Sequence, residues 1–116
     1  MSAALVYKIA DVSAWAAAVS LGRFDGSRDD VRDGFIHLST AAQARETAAK
    51  YFTGRSDLEL AAVDVAQLGE VLSWEPSRGG ALFPHLYAPL VMTAVVWTRP
   101  LPVGADGLHV FPPEMI

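Results

Sequence analysis

The order of hydrophobic and polar positions along the chain predicts six strands and two helices. Short runs of apolar, β-branched and aromatic residues are typical of strands. Two alanine-rich stretches with apolar residues at helical spacing favour helix. The predicted strands cover residues 4–9, 35–38, 58–64, 71–75, 83–87 and 93–98. This pattern predicts an α+β domain with a mainly antiparallel, split β-sheet flanked by two helices.

The first predicted helix runs from Asp11, as its N-cap, to Ser20, and Gly22 provides a C-terminal stop. The second starts at Thr40, where Gln43 three residues later completes a capping box, and ends at Gly54. Helix stripes and strand alternation together predict a buried core. Its members are Trp15, Val19, Ala44, Ala48, Val63, Val95 and Trp97.

Residues 23–34 are polar and contain glycine, which predicts a loop with at most one helical turn capped by Ser27. Such a segment is either a mobile lid or a solvated connector. Pro84 lacks a backbone donor, so the strand 83–87 is predicted to be irregular or at a sheet edge. The proline-rich tail after Pro100 is predicted to wrap the surface without regular structure.

Length and composition limit the classes of protein to consider. The 116 residues, 52% of them hydrophobic, fit one domain over 1–116. The chain has no cysteine, which excludes disulfides and thiolate chemistry and favours a cytoplasmic location. Its net charge of −4, with scattered cations, argues against an extensive nucleic-acid surface. No apolar run is long enough to cross a membrane, and the N-terminus lacks the pattern of a signal peptide.

Two histidines occupy matching positions in two predicted strands. Strand alternation places His37 on one face with Phe35 and Ser39. The same rule gives His85 one aromatic and one hydroxyl-bearing neighbour on its face, Phe83 and Tyr87. Aromatic surface beside convergent polar groups is typical of a binding cleft, so we predict that both segments line one small-molecule pocket. For each histidine taken alone, a hydrogen-bonded structural role is the alternative.

Glu75 ends a predicted strand, followed by Pro76. A carboxylate at a strand end beside a cleft can act as a base or stabilise positive charge, although exposed glutamates are common there. His109, in the tail, is interpreted as structural. Neither His37 nor His85 has a partner at metal-ligand spacing, so no metal site is assigned. Phosphate-binding glycine loops are also absent from the sequence.

Three blocks in order resemble a widespread, mostly bacterial family, domain of unknown function 952. They are Gly-Phe-Ile-His-Leu-Ser-Thr at 34–40, Trp-Glu-Pro at 74–76 and Phe-Pro-His-Leu-Tyr-x-Pro-Leu from 83. Trp15 and Gly22 fit the family pattern as well. The resemblance covers about 5–97, and the tail from residue 100 lies outside it.

The resemblance implies a fold similar to that of the ADP-ribosyltransferases, which cleave the nicotinamide–ribose bond of NAD. Those enzymes commonly end their first strand in an aromatic residue followed by histidine, and the matching pair here is Tyr7 and Lys8. Lysine cannot accept a hydrogen bond as a neutral imidazole does. The implied catalytic residues are Glu75, His37 and His85. The implied ligand-binding residues are Tyr7, Lys8, Ser39, Thr40, Phe83 and Tyr87.

Two functions from different classes follow from these residues. The first is an NAD-linked or nucleoside-linked transferase or glycosidic hydrolase, in which Glu75 stabilises an oxocarbenium ion and NAD is a possible cofactor. The second is a non-catalytic module that binds a nucleotide or another small ligand. Lys8 favours the second, since a charge replaces a neutral ring. In both, the expected ligand is anionic or ribose-bearing, and the oligomeric state is open.

Overall fold

The computed structural model describes residues 4–115, and within them the chain forms a mixed α+β fold. The strands are β1 (Leu5–Asp11), β2 (Arg23–Phe24), β3 (Ile36–His37), β4 (Leu58–Asp64), β5 (Leu72–Pro76), β6 (Leu82–Leu86), β7 (Leu90–Val91) and β8 (Val95–Pro100). The helices are α1 (Val12–Leu21), α2 (Arg28–Asp33), α3 (Ala41–Tyr51) and α4 (Val65–Leu68). Short 3₁₀ segments cover Gly69–Val71, Arg78–Gly80 and Met92–Ala94.

All strand pairs are antiparallel, and they form three separate sheets. One sheet has the order β1-β4-β8, the second β3-β6-β5, and the third pairs β2 with β7. The first two meet just after β3. There Leu38 donates its N–H to the carbonyl of Pro84, while Ser39 and Tyr7 exchange two backbone hydrogen bonds of 2.9 and 2.7 Å. The predicted split sheet is therefore present, with the division at Leu38 and Ser39.

The sheet β1-β4-β8 has a hydrophobic cluster on each face, so its central strand β4 is buried on both sides. One cluster joins it to α1 and to the short sheets; its largest members include Trp15, Phe24, Leu38, Leu86 and Leu90. The other joins it to α3 and the tail, with Tyr7, Leu58, Leu60, Leu101 and Met115. Strand alternation in β4 supplies side chains to both clusters in turn.

The predicted core is correct at Trp15, Ala44, Ala48 and Val63, all of which are buried. Val19 was wrongly included, because it is 57% exposed. Helix α1 buries only Trp15 and Ala18, and Val19 lies about 100° around the helix from Ala18. The buried arc of α1 is thus narrower than the sequence stripe. Val95 and Trp97 are half-buried at the edge of the clusters.

The helix N-termini follow the predicted chemistry in two of three cases. Ser27 and Thr40 each form a full capping box, the first with Asp30 and the second with Gln43. Asp11 makes no side-chain cap. Its carboxylate instead forms an ion pair with Arg55, which corrects the predicted N-cap.

Two predicted element boundaries also change. Helix α3 ends at Tyr51, earlier than the predicted stop at Gly54, which lies at a φ of 75° in the turn that follows. The predicted loop 23–34 contains strand β2 and helix α2, so it is largely regular. The single helical turn expected after Ser27 is a six-residue helix.

Pro84 lies in β6, the centre of its sheet, which contradicts the predicted edge position. The N–H and C=O of one residue point to the same side of a strand. Since the carbonyl of Pro84 accepts from Leu38, its missing N–H also faces β3. Strand β3 ends at His37, one residue before it would need that donor. The shortness of β3 therefore tolerates the proline.

The tail contributes to the core, which the sequence did not indicate. Among its described residues the only strand-like pairing is a bridge between Val103 and His109. Leu101 and Met115 are nevertheless almost fully buried against α3 and the first sheet. His109 donates from Nε2 to the carbonyl of Arg55 at 2.8 Å, a structural role as predicted. Within residues 4–115, no helix has the length and apolar character needed to span a membrane.

Candidate cleft with two histidines

A cleft of about 630 Å³ opens beside β1. Its walls come from β1, α2, the His37–Ser39 segment, β6 and the C-terminal part of α3. This volume lies within the range of about 300–1,000 Å³ that is usual for small-molecule sites. The polar segment 23–34 thus supplies one wall of the cleft through α2.

The two histidines are cross-strand neighbours in the β3–β6 pair, and both line the cleft. His37 is the register partner of His85, and their ring centroids lie 5.8 Å apart. Phe35 stacks on the His85 ring with a centroid distance of 4.0 Å and an interplanar angle of 22°. Its ring is also 4.5 Å from that of His37. The predicted approach of the two histidines is confirmed, and Phe35 fixes both rings from one side.

His85 is held by a carboxylate that lies outside the cleft. Its Nδ1 is 2.8 Å from Oε1 of Glu75, which also accepts the hydroxyl of Tyr87 at 2.7 Å. The hydrogen bonds from Tyr87 and His85 lower the pKa of Glu75 below its usual value. The hydrogen bond to Glu75 raises the pKa of the Tyr87 hydroxyl. Glu75 is therefore ionised near neutral pH and orients the imidazole of His85 through Nδ1.

His37 contacts two carboxylates. Its Nδ1 lies 2.6 Å from Oδ1 of Asp30, and its Nε2 lies 2.9 Å from Oδ2 of Asp33. The backbone N–H of His37 also donates to Oδ1 of Asp30 at 3.0 Å. Both nitrogens of this ring are thus engaged by protein groups, in contrast to His85.

Asp30 connects the wall of the cleft to its floor. Its Oδ2 accepts from Nζ of Lys8 and from the backbone N–H of Ser27, both at 2.8 Å. Burial raises the pKa of Asp30, but the hydrogen bonds from His37 and the charge and hydrogen bond of Lys8 outweigh it, so the net pKa is well below the usual value. Burial lowers the pKa of Lys8, and Asp30 opposes that shift. Lys8 also donates to the carbonyl of His37 at 3.1 Å.

Local sequence places Asp30 at this point. It is the third residue of α2, where it closes the capping box with Ser27. Gly26 lies at a φ of 113°, and a Cβ there would come within 3.0 Å of the Asp30 Cβ. Glycine therefore permits both the turn into α2 and the close packing against Asp30.

The structure places six of the nine predicted site residues on the cleft: Tyr7, Lys8, His37, Ser39, Phe83 and His85. Glu75, Tyr87 and Thr40 do not line it. Glu75 and Tyr87 lie behind His85, while the Thr40 hydroxyl accepts from the backbone N–H of Gln43 as a helix cap. Burial raises the pKa of Tyr7.

Asp30 and Asp33 were given no role by the sequence, although they make most of the polar contacts to His37 and Lys8. In the sequence, Asp30 stands out only through the Ser-x-x-Asp pattern of residues 27–30, which marks a helix start. Helix capping alone would explain an aspartate at this position, so the pattern does not indicate a role in the cleft. Among the residues that the structure describes, no cluster of three or more potential ligands suits a metal ion.

Comparison with known proteins agrees with the sequence blocks. The family described as Protein of unknown function (DUF952) matches residues 9–98, and the chain belongs to this family. A crystal structure of protein CC0527 from Caulobacter crescentus is 50% identical, with a TM-score of 0.90 over 96% of this chain and 97% of that one. The solution NMR structure of CC0527 is 53% identical, with a TM-score of 0.82 over 90% of each chain. No curated protein matches the chain.

Proposed function

We propose that this protein binds a small polar molecule in the cleft, in contact with His37 and His85. The observation that carries the proposal is the convergence of two carboxylate-bound histidines on one cleft of ligand size. Buried polar side chains are costly to keep unless their hydrogen bonds are met. Here a carboxylate accepts a hydrogen bond from Nδ1 of each ring. In His85, which lines the cleft, Nε2 is then the ring nitrogen left to contact a ligand.

The lining favours a ligand with a flat ring and a polar or anionic part. Aromatic side chains, among them Tyr7, Phe24 and Phe83, offer surface for a base or another planar group. Arg28 lines the same cleft, and none of the side chains that the structure describes forms a hydrogen bond or an ion pair with it. It supplies a cation for a carboxylate or phosphate. Nucleotides and fragments of NAD combine both features, in line with the proposed likeness to ADP-ribosyltransferases.

Binding is tested by calorimetry with NAD, ADP-ribose, AMP and ribose 5-phosphate as separate titrants. We expect heat of binding with at least one of them, and a loss of affinity of up to about tenfold in His85→Ala, the size of one lost hydrogen bond. His109→Gln is the matched control, because it removes an imidazole that does not line the cleft. An absence of heat with all four at millimolar concentration, with folded protein, would contradict the nucleotide proposal.

A second candidate is catalysis of glycosidic cleavage, which the contact between His85 and Glu75 favours. A carboxylate on Nδ1 orients an imidazole for general acid–base work at Nε2. Glu75 would then act through His85, since its Oε1 already accepts two hydrogen bonds. Release of nicotinamide from NAD, with water added to the ribose, measures this activity. A chain that binds ADP-ribose yet leaves NAD intact, at any enzyme concentration, would favour the binding module.

A further inference from the structure

The two histidines of the cleft differ in the number of carboxylates that hold them. His37 has one on each ring nitrogen, Asp30 on Nδ1 and Asp33 on Nε2. His85 has Glu75 on Nδ1 alone, and none of the side chains that the structure describes bonds its Nε2. An ionised carboxylate only accepts hydrogen bonds, so each imidazole nitrogen facing one must carry a proton.

We propose that His37 is a doubly protonated cation fixed by two aspartates, whereas His85 is a neutral ring whose unprotonated Nε2 accepts a hydrogen bond in the cleft. The proposal assigns opposite roles to two residues that the sequence treats alike. What this assignment implies for a ligand rests on the proposed function and makes it more specific. A ligand group that contacts Nε2 of His85 must then be a hydrogen-bond donor, such as a hydroxyl or an amine.

The charges around His37 support a cation there. Lys8 and His37 supply two positive charges, and Asp30 and Asp33 supply two negative ones, at contact distances of 2.6–2.9 Å. Arg32 also contacts Asp33, and it contacts Asp29 as well, so Arg32 and Asp29 add one charge of each sign. Asp30 accepts at Oδ1 and at Oδ2, which leaves it no position for a proton of its own. A neutral His37 would have to face one of its two carboxylates with a bare nitrogen, lone pair against lone pair.

The surroundings of His85 oppose a second proton. His85 is 5% exposed, and Phe35 covers one face of its ring. Glu75 contacts its Nδ1, and the ring of His37, the proposed cation, lies beside it. Glu75 shares its Oε1 with Tyr87, and the cationic ring 5.8 Å away repels a further positive charge. The neutral tautomer with the proton on Nδ1 satisfies Glu75 and leaves Nε2 bare.

Long-range nitrogen–proton NMR correlations of the imidazole rings test the assignment in the ligand-free chain. Near pH 7 we expect both nitrogens of His37 in the protonated range, and for His85 a protonated Nδ1 with an unprotonated Nε2. His109 serves as an internal reference, because its Nε2 must be protonated to donate to the Arg55 carbonyl. Two neutral rings, or a His85 protonated on Nε2, would overturn the proposal.

Two variants separate these roles from general effects of charge. Asp33→Asn should reduce the doubly protonated fraction of His37 and leave the His85 tautomer unchanged; Asp29→Asn, also on α2 and paired with Arg32, should do neither. Glu75→Gln should let Nε2 of His85 take the proton in part of the molecules, because an amide can donate to Nδ1. Glu70→Gln, on the exposed 3₁₀ segment, is its control. Unchanged spectra in Asp33→Asn and Glu75→Gln would refute the assignment.

These measurements need no ligand, so they fail or succeed independently of calorimetry. A correct tautomer assignment with no binding would remove the nucleotide proposal alone. Binding with two neutral rings would remove this assignment alone.

Discussion

Replacing Asp30 with asparagine is expected to lower the free energy of unfolding by about 3–5 kcal/mol, the cost of removing one partner of a buried ion pair. Lys8 is 5% exposed and loses the carboxylate 2.8 Å from its Nζ. Asparagine keeps one acceptor oxygen, which can serve either Lys8 and Ser27 or His37, so the remaining donors face an amide N–H₂ group. Chemical denaturation monitored by circular dichroism measures the change.

A matched exposed pair gives the control for Asp30. Asp25→Asn removes a partner of Arg23 at 2.9 Å, but both side chains are about half exposed. Surface pairs of this kind contribute about 0–1 kcal/mol. If Asp30→Asn costs no more than Asp25→Asn, Asp30 does not hold the wall of the cleft. Lys8→Met combined with Asp30→Asn should cost less than the sum of the two single changes, since they share one interaction.

The effect of Asp30→Asn should depend on pH in a fixed direction. The pKa of Asp30 is lower in the folded chain than its unfolded value of about 3.9. Its contribution to stability is then complete above that unfolded value and is lost as the pH falls towards the folded one. The stability difference between wild type and variant should therefore shrink as the pH falls below about 4. A difference that grows on acidification would contradict this.

Truncation of Trp15 to alanine should also destabilise the chain by about 3–5 kcal/mol, as for other large buried side chains. Trp15 is 4% exposed and packs against Phe24 at a centroid distance of 5.6 Å. Val19→Ala, one turn further along the same helix, should change stability by less than about 0.5 kcal/mol, because Val19 is largely exposed. Equal losses in the two variants would mean that α1 is rotated relative to the structure.

The sequence alone determined those features that depend on neighbours in the chain. The predicted helix starts at Ser27 and Thr40 depend on residues only three positions apart; both form, and Thr40 makes its predicted capping box with Gln43. Alternation within each strand predicted that His37 and His85 share a face with an aromatic and a hydroxyl-bearing side chain. The family blocks lie in order along the chain, so they indicate the family without reference to the fold. In each case the interaction or the pattern is local.

Tertiary structure decided what depends on partners far apart in the chain. Asp30 became the link between α2 and β1 because folding buries Lys8 twenty-two positions away beside it. Pro84 is tolerated in a central strand because β3 ends where its missing donor would be needed. Val19 faces solvent because packing on the sheet set the rotation of α1. His37 and His85 have different partners because folding brings different carboxylates to the two rings. Burial of polar groups makes such pairing a condition of stability.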